Sequence, residues 1–150
     1  MIEKIKVKFI KTNKNAMVPF RGTEGSAGYD LYACLEKDLE INFGDLIKIP
    51  TGIAIELPGA EFAAFVFARS SLGIKYGIMP SNGVGVIDSD YRGEIQVGLC
   101  RVAKGDPYII KNGDRVAQLI VTRVSCCSFE MVDKLSESFR GEKGFGSTGK

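Results

Sequence analysis

Apolar and polar residues alternate along much of this chain, and this two-residue period constrains the fold more than any other feature of the sequence. Successive side chains of a β-strand point to opposite faces, so the alternation predicts strands with one buried face. It is clearest at residues 5–9, 53–57, 95–99 and 117–121. A denser apolar run at residues 62–67 indicates a strand that is buried on both faces.

Turn-forming sequences separate these runs. They are Asn-Phe-Gly-Asp at 42–45, Pro-Gly at 58–59, Ser-Asn-Gly at 81–83, Asp-Pro at 106–107 and Asn-Gly-Asp at 112–114. Short strands with such spacing predict an all-β fold, either a barrel or a double sheet of the jelly-roll type. Helix is scarce, and we expect only one or two turns near residues 70–76.

The end of the chain differs from the rest in composition. Residues 134–150 contain several glycines and charges and few large apolar side chains, so they cannot bury a core of their own. We therefore predict one β-barrel domain over residues 1–133. Residues 134–150 should form a mobile, glycine-rich C-terminal lid of the same domain.

The absence of histidine narrows the chemistry open to the chain. Without imidazole, Ser-His-Asp and Cys-His nucleophilic mechanisms and HExxH zinc sites are excluded. An enzyme of this composition needs a carboxylate as its base, with a metal or backbone amides to stabilise charge. The 20 lysines and arginines are interleaved with 18 aspartates and glutamates. We therefore expect no basic stripe of the kind that binds nucleic acid.

The cysteines and the N-terminus indicate an intracellular protein. Cys34, Cys100, Cys126 and Cys127 include no C-x-x-C pair, and the adjacent Cys126 and Cys127 would point to opposite faces of a strand. We expect reduced, mostly buried thiols rather than a disulfide framework or a zinc site. Neither a signal-peptide pattern nor an apolar run of membrane-spanning length occurs. We expect a soluble protein of the cytoplasm, or of the nucleus in a eukaryotic or viral setting.

A stretch at residues 82–93 offers a ligand close access to the backbone. Gly83 and Gly85 carry no side chain that would block such an approach. Two apolar half-strands around a polar turn predict a β-hairpin here. Asp88 and Asp90, in the turn, are closely paired carboxylates set between two apolar runs. They are candidates for chemistry, and turn formation is the alternative role.

The C-terminal stretch Gly144-Phe-Gly-Ser-Thr-Gly-Lys150 resembles glycine-rich phosphate loops in composition only. The dinucleotide and Walker A motifs both need a preceding strand and a following helix, and neither is predicted here. Glycines still let backbone N–H groups converge on an anion. The single aromatic residue, Phe145, suggests a lid that stacks on a flat ligand, and a plain flexible tail is the alternative.

Polar residues follow the buried run at 62–67. In Ala-Arg-Ser-Ser-Leu-Gly at 68–73, serines that open a short helix would present hydroxyls and free N–H groups to an anion. An ordinary serine N-cap gives the same pattern. Asp30 and Gln118 lie in strand-like contexts. A structural ion pair for Asp30 and a sheet-edge cap for Gln118 stay open beside a ligand role.

Together these stretches resemble one family. AGYDLYA, ARSSLG, NGVGVIDSDYRGE, GDRVAQLIV and RGEKGFGSTG occur in this order and look like the five motifs of trimeric dUTPases, from about residue 18 to the C-terminus. The resemblance implies a jelly-roll-like subunit in a homotrimer whose shared active sites draw on all three chains. It also implies Mg²⁺-dependent hydrolysis of dUTP to dUMP and pyrophosphate. That reaction would keep uracil out of DNA and supply dUMP for dTMP synthesis.

In this resemblance, residues 82–93 hold the reaction centre. Asp88 matches the general base that activates the attacking water. Tyr91 matches the tyrosine whose ring lies under the deoxyribose and leaves no room for a 2′-hydroxyl. The matches to groups at the uracil edge are Asn82, the backbone of Val86 and Ile87, and, close to this pocket, Gln96.

The other matches concern the triphosphate and its metal. Asp30 and Gln118 match residues that hold water ligands of Mg²⁺, while the triphosphate binds the ion directly, as suits an ion that keeps its waters. Phe145 matches the aromatic residue that closes over uracil. The matches to phosphate contacts are Arg69, Ser70 and Ser71 in the loop, and Arg140, Ser147 and Thr148 in the tail. Gly146 of the tail is a further match to a substrate-binding residue.

The chain departs from the family pattern at a few positions, and two rival functions stay open. Ser71 stands where many members have glycine, and Glu142 and Lys143 replace small residues of the tail motif. One rival is a dCTP deaminase of the same fold, whose catalytic glutamate would fall where this chain has Gly98. The other is a non-enzymatic, dUTPase-like trimer that binds a protein partner, against which the retained candidate catalytic positions argue.

Overall fold

The computed structural model describes residues 4–142 and 144. Strands dominate it, and the described chain contains one α-helix. In chain order the elements are β1 (Lys8–Lys11), β2 (Tyr29–Tyr32), β3 (Leu39–Ile41), β4 (Leu46–Glu56), β5 (Phe62–Phe67), α1 (Ser70–Tyr76), β6 (Ile78–Pro80), β7 (Gly85–Ile87), β8 (Glu94–Arg101), β9 (Tyr108–Ile110) and β10 (Arg115–Arg123). Within the described residues, no helix has the length and apolar character needed to span a membrane.

The strands form two four-stranded sheets and a small two-stranded one, and every pairing is antiparallel. The first large sheet has the order β1-β4-β8-β6 and the second has the order β2-β10-β5-β7, while β3 pairs with β9. This double-sheet arrangement confirms the predicted all-β, jelly-roll-like fold.

The alternation in the sequence places one set of side chains in a single core. In β8, Ile95, Val97 and Leu99 are buried, and the residues between them are more exposed. Strands β2, β4, β5 and β10 contribute to the same hydrophobic cluster, so the two large sheets share one core. Full burial of each such aliphatic side chain stabilises the fold by roughly 1.5–3 kcal/mol.

The N-terminal strand differs from its prediction. The pattern predicts a strand at residues 5–9, whereas β1 spans Lys8–Lys11 and all four of its residues are exposed. β1 is an edge strand that pairs only with β4. Backbone pairing therefore sets its register, and Phe9 remains 47% exposed.

The helix α1 occupies the residues where the sequence predicts one or two helical turns. It ends at Gly77, whose left-handed backbone (φ 62°) lets its N–H donate to the Gly73 carbonyl. Leu72 is its buried residue, and it anchors the helix to the core. Arg69 occupies the N-cap position, and no side chain caps the first turn. The serine N-cap that the sequence allowed is therefore not formed.

The predicted hairpin at residues 82–93 is wrong. β7 pairs with β5 in the second sheet, whereas β8 pairs with β4 and β6 in the first. Residues 88–93 thus carry the chain from one sheet to the other. Alternation reports which face of a strand is buried but not which strand it pairs with. The crossover separates β7 from β8, which a hairpin would have joined by hydrogen bonds.

Beyond β10 the chain leaves the sheets. The strand ends at Arg123, and residues 125–142 are exposed. Cys126 and Cys127 lie in this exposed segment and belong to no strand. Both their predicted position on a strand and the expectation of mostly buried thiols are therefore wrong, since only Cys34 among the cysteines is fully buried. All the cysteines are free, as expected.

Candidate active site

A cavity of about 270 Å³ opens between β7 and β8, where the chain crosses from one sheet to the other. Its walls come from β5, β6 and the loop before β7 as well as from these two strands. The lining residues are Val66, Pro80, Asn82, Gly85, Val86, Ile87, Asp88, Tyr91, Glu94, Ile95, Gln96, Val97 and Gly98. All the described residues that the sequence assigns to the base and sugar pocket therefore face one space.

β7 presents an unpaired backbone edge at this cavity. It is the last strand of its sheet and pairs only with β5 among the described strands. Gly85 allows a tight approach, because a Cβ there would lie 3.1 Å from Cβ of Val66. Ile87 is buried and Val86 is 62% exposed. The free edge leaves main-chain N–H and C=O groups of this strand available to a planar, hydrogen-bonding ligand.

The structure separates the two carboxylates of the crossover. Asp88 lines the cavity, whereas Asp90 does not. The turn between them is held by its own backbone: the Tyr91 N–H donates to the Asp88 carbonyl (3.2 Å), and the Arg92 guanidinium donates to the carbonyls of Ser89 (2.8 Å) and Tyr91 (3.0 Å). No ion pair or hydrogen bond from a described residue engages the Asp88 carboxylate. The Asp88 carboxylate is thus an unengaged acceptor on a turn that other hydrogen bonds hold in place.

Tyr91 is held at the phenol end of its side chain. Its hydroxyl donates to the Glu94 carbonyl (3.1 Å), and its ring lies over Gly93, where any Cβ would collide with the phenol. The ring remains 46% exposed beside the cavity. The lack of a side chain at Gly93 therefore leaves the space that the phenol end of Tyr91 occupies.

Two residues of β8 bear on the kind of chemistry the cavity can do. Gln96 is exposed at the cavity, between the buried Ile95 and Val97. Gly98 also lines the cavity, and a Cβ there would lie 2.9 Å from Oγ of Ser81. Gly98, where a deaminase would have its glutamate, therefore carries no side chain, and Ser81 leaves little room for one there.

A second polar group lies at the other end of the second sheet. Asp30 of β2 accepts from Arg69 Nε (2.9 Å) and from Arg115 Nη1 (3.4 Å). Arg69 also reaches the Arg115 carbonyl (3.4 Å). The Asp30 and Arg69 side chains are only 18% and 21% exposed. This confirms the structural ion pair that the sequence allowed for Asp30, and it fixes a guanidinium at the start of α1.

Gln118 stands beside this group, and the donors here bear on metal binding. Its Nε2 donates to the Ala68 carbonyl (2.8 Å), and its Oε1 lies near Gly28. The described residues hold no cluster of three or more His, Cys, Asp or Glu side chains that could bind a metal. Asp30, whose carboxylate already accepts from two guanidinium groups, suits contact through water. The donor set fits an ion that arrives on a triphosphate with its water shell.

The remaining predicted phosphate contacts are exposed or lie outside the described residues. Ser70 and Ser71 are the first residues of α1, and both are exposed. Arg140 is exposed in the segment beyond β10. The predicted tail residues Phe145, Gly146, Ser147 and Thr148 lie outside the described part of the chain, as does Lys143.

The predicted residues thus fall into two groups, the cavity group at β7–β8 and the Asp30–Arg69 group. No hydrogen bond or ion pair between described residues joins them. Sequence reasoning missed Arg115 and Glu94. Arg115 could have been found from its place after the Gly-Asp turn at 113–114, three residues before Gln118. Glu94 is the last residue of the NGVGVIDSDYRGE motif, but nothing in the sequence indicates its partner or its role.

Solved structures share this fold. The dUTPase of Staphylococcus bacteriophage 80alpha, solved with dUpNHpp, superposes with a TM-score of 0.80 at 22% identity, covering 97% of this chain and 99% of that one. The dUTPase from phage phi11 of S. aureus, described with a structural Mg(II) ion, has a TM-score of 0.78 at 18% identity, covering 88% and 99%. The chain therefore has the all-β fold seen in dUTPases.

Sequence comparison assigns the chain, within the proteins that share this fold, to one family. The dUTPase family profile matches residues 14–149. The deoxyuridine 5'-triphosphate nucleotidohydrolase of Desulfitobacterium hafniense is 49% identical over 146 residues, covering 97% of this chain and 96% of its own. That of Nitrosospira multiformis is 44% identical over 149 residues, covering 99% of both. The chain belongs to the dUTPase family.

Proposed function

We propose that this protein hydrolyses dUTP to dUMP and pyrophosphate. One observation carries the proposal: the unengaged Asp88 carboxylate lines the same cavity as the free edge of β7 and the Tyr91 ring. In a nucleotide, the planar base would pair with the free edge of β7, the sugar would lie against the Tyr91 ring, and the reactive phosphate would lie near Asp88. Family membership supports the substrate, since the curated relatives are named for this nucleotide.

Asp88 acts as the general base. It takes a proton from a water as the water oxygen attacks the α-phosphorus of dUTP. The bond between the α-phosphorus and the bridging oxygen to the β-phosphorus breaks, and pyrophosphate leaves with that oxygen. A carboxylate that forms no ion pair with a described residue keeps its acceptor oxygens for this water.

The edge of β7 recognises the base. Main-chain groups of Val86 and Ile87 pair with the uracil edge, with the Asn82 amide and Gln96 at the rim of the cavity. The pinned Tyr91 ring lies against the deoxyribose and leaves no space for a 2′-hydroxyl. A rigid ring selects sharply, because it cannot move aside for the larger sugar.

The Asp30–Arg69 group takes the phosphates. Arg69, Ser70 and Ser71 donate to the phosphate oxygens, and the ion pair with Asp30 holds the Arg69 guanidinium in place. Bound magnesium would neutralise charge on the triphosphate, with Asp30 and Gln118 holding its water ligands. In that arrangement the substrate would carry the ion, and no set of direct protein ligands would be needed.

The active site is completed by other copies of the chain. We propose a homotrimer with shared sites, which membership of the dUTPase family supports. Different copies would bring the two groups together, since no hydrogen bond or ion pair between described residues of one chain joins the cavity group to the Asp30–Arg69 group. Residues 1–133 form the barrel domain and residues 134–150 its lid. Arg140, Ser147 and Thr148 contact the terminal phosphate, Gly146 contacts the substrate, and Phe145 closes over uracil. The protein acts in the cytoplasm, where it keeps uracil out of DNA and supplies dUMP.

A substrate panel tests the proposal. Purified protein is incubated with dUTP, dCTP or UTP and Mg²⁺, and pyrophosphate and ammonia are measured. We expect pyrophosphate from dUTP alone, with loss of activity in EDTA. Ammonia from dCTP would instead indicate a deaminase, against which Gly98 argues, and silence on every nucleotide would indicate a binding protein.

A further inference from the structure

We propose that Glu94 is a positioning residue that sets the dUTP-over-UTP selectivity of the site by holding Tyr91 in place. The inference rests on the proposed function and extends it to a residue that touches no predicted reacting atom. Glu94 is the first residue of β8, half-buried at the cavity wall. It pairs with Ala54 in the β4–β8 ladder. It makes two further hydrogen bonds, one from the Gly52 N–H to its side chain and one from the Tyr91 hydroxyl to its main-chain carbonyl, and together these link Gly52 to Tyr91.

The main-chain bond reaches the aromatic ring. The Tyr91 hydroxyl donates to the Glu94 carbonyl across 3.1 Å. This hydrogen bond of the phenol joins the crossover to the first residue of β8. The position of the ring therefore depends on where residue 94 lies.

The side-chain bond fixes residue 94 to the neighbouring strand. The N–H of Gly52, a buried residue of β4, donates to Oε1 of Glu94 across 2.7 Å. The β4–β8 ladder shifts register between Pro50 and Ala54, so ordinary strand pairing is interrupted here. Gly52 has a left-handed backbone (φ 66°) within this irregularity. The Glu94 carboxylate thus replaces a missing ladder hydrogen bond.

A neighbouring hydrogen bond provides a matched control. The Thr51 hydroxyl donates to the Ile95 carbonyl across 2.7 Å, and this bond is buried. It also joins the irregular part of β4 to the start of β8, and the same hydroxyl accepts from the Ile53 N–H (3.3 Å) within β4. Thr51→Val removes both of these bonds, but it removes no partner of the Gly52–Glu94 or the Tyr91–Glu94 hydrogen bond. Loss of the Thr51 bond should lower stability without moving the ring.

The consequence concerns substrate choice more than folding. Without the Glu94 side chain the buried Gly52 N–H loses its acceptor, and the start of β8 can shift with the Tyr91 hydroxyl attached. A displacement on the scale of an ångström at a positioning group is enough to change rates by about 100-fold. The ring excludes a 2′-hydroxyl only by its position. A shifted ring should therefore allow UTP to bind and react.

The experiment compares Glu94→Ala, Glu94→Gln and Thr51→Val with the unmodified protein, measuring kcat/KM for dUTP and for UTP and the urea midpoint. For Glu94→Ala we expect the dUTP/UTP ratio to fall at least about tenfold. Glu94→Gln keeps an acceptor oxygen and should retain the ratio, and Thr51→Val should lose stability while retaining it.

An unchanged ratio in Glu94→Ala, or an equal fall in Thr51→Val, would overturn the positioning role. Should Glu94→Ala fail to fold, Glu94→Asp takes its place, since a side chain one methylene shorter cannot keep the same contact; its ratio must fall. An unmodified protein that cleaves no dUTP would overturn the proposed function and this inference with it, whereas an active protein with unchanged ratios would overturn this inference alone.

Discussion

The Nε of Arg69 donates to Oδ1 of Asp30 across 2.9 Å, which ties the residue before α1 to the central part of β2. The two residues are far apart in the sequence, and the contact forms because β10 pairs with both β2 and β5. Arg115 completes the group at 3.4 Å. Because the Asp30 and Arg69 side chains are mostly shielded from water, this pair is screened less than a surface salt bridge.

Substitution Asp30→Asn should therefore reduce both stability and phosphate binding. The change leaves Arg69 without its carboxylate partner, which we expect to cost roughly 1–3 kcal/mol of unfolding free energy. KM for dUTP should rise, because the guanidinium is no longer held for the phosphates. Urea unfolding and steady-state kinetics measure the two effects. Glu56→Gln, which breaks the exposed pair with Lys8 (2.8 Å), is the control and should change neither appreciably.

Substitution Asp88→Asn should lower turnover by orders of magnitude while leaving the fold and dUTP binding intact. The amide keeps the shape of the side chain but cannot take a proton from water, so kcat should fall by about 10²–10⁴-fold. Asp90→Asn is the matched control, since Asp90 is in the same turn and does not line the cavity. Rates near normal in Asp88→Asn, or equal losses in both variants, would remove Asp88 from the role of base.

The sequence was a good guide to what each residue does locally. The two-residue period predicted the alternating burial of β8 and most of that of β10, and the dense apolar run predicted β5, which is buried on one face and partly buried on the other. The prediction of one buried face was wrong for β4, where the five consecutive residues 51–55 are buried. The position of α1 was predicted as well. These features depend on the residue and its neighbours in the chain, which sequence reports directly.

Long-range pairing was beyond the reach of the pattern. Nothing in residues 82–93 shows that β7 prefers β5 over β8, because the choice depends on strands elsewhere in the chain. The same limit hid Glu94, whose partner Gly52 is set by an irregularity in the β4–β8 ladder. The motifs did identify the cavity residues, and all of those between Asn82 and Gln96 converge as expected.

Removal of residues 140–150 should leave the barrel folded and greatly reduce hydrolysis. Residues 134–142 are exposed and add no side chain to the core, so the urea midpoint should stay the same. Loss of the proposed phosphate and uracil contacts should lower kcat/KM for dUTP by at least about 100-fold. A truncated protein with full activity would refute the lid.

Stability should fall in mildly alkaline solution because of Cys34. Burial of this thiol, helped by the nearby Glu94 carboxylate, raises its pKa above the ordinary value, against a smaller opposing effect of Lys11. The unfolded chain ionises near pH 8.5 while the folded chain still holds the proton. The stability that this group contributes is therefore complete below about pH 8.5 and is lost as the pH rises towards the folded-state pKa.

Cys34→Ala tests this linkage. Urea unfolding between about pH 7 and 10 should show a steeper loss of stability in the unmodified protein than in the variant. Burial also raises the pKa of Tyr108, with Asp114 and Tyr76 adding to the effect. Because Tyr108 is present in both proteins, it cancels from the comparison. Parallel pH profiles would show that Cys34 does not contribute.

Two glycines with left-handed backbones should respond very differently to alanine. Gly44 (φ 87°) has open space around it, whereas a Cβ on Gly52 (φ 66°) would lie 2.6 Å from Cβ of Ala16 and 3.1 Å from Sγ of Cys34. Gly44→Ala should cost only the conformational penalty, roughly 1–2 kcal/mol. Gly52→Ala adds overpacking of the core, about 1–3 kcal/mol more.

The same comparison bears on function. A shift of Gly52 moves the N–H that holds Glu94, so Gly52→Ala should also weaken discrimination against UTP, while Gly44→Ala should leave it unchanged. Differential scanning calorimetry and paired kinetics with dUTP and UTP measure both effects. Equal loss of stability in the two variants would show that the residues around Gly52 move to accept a methyl group without cost. The close packing of β4 against Ala16 and Cys34 would then add nothing to the penalty of Gly52→Ala.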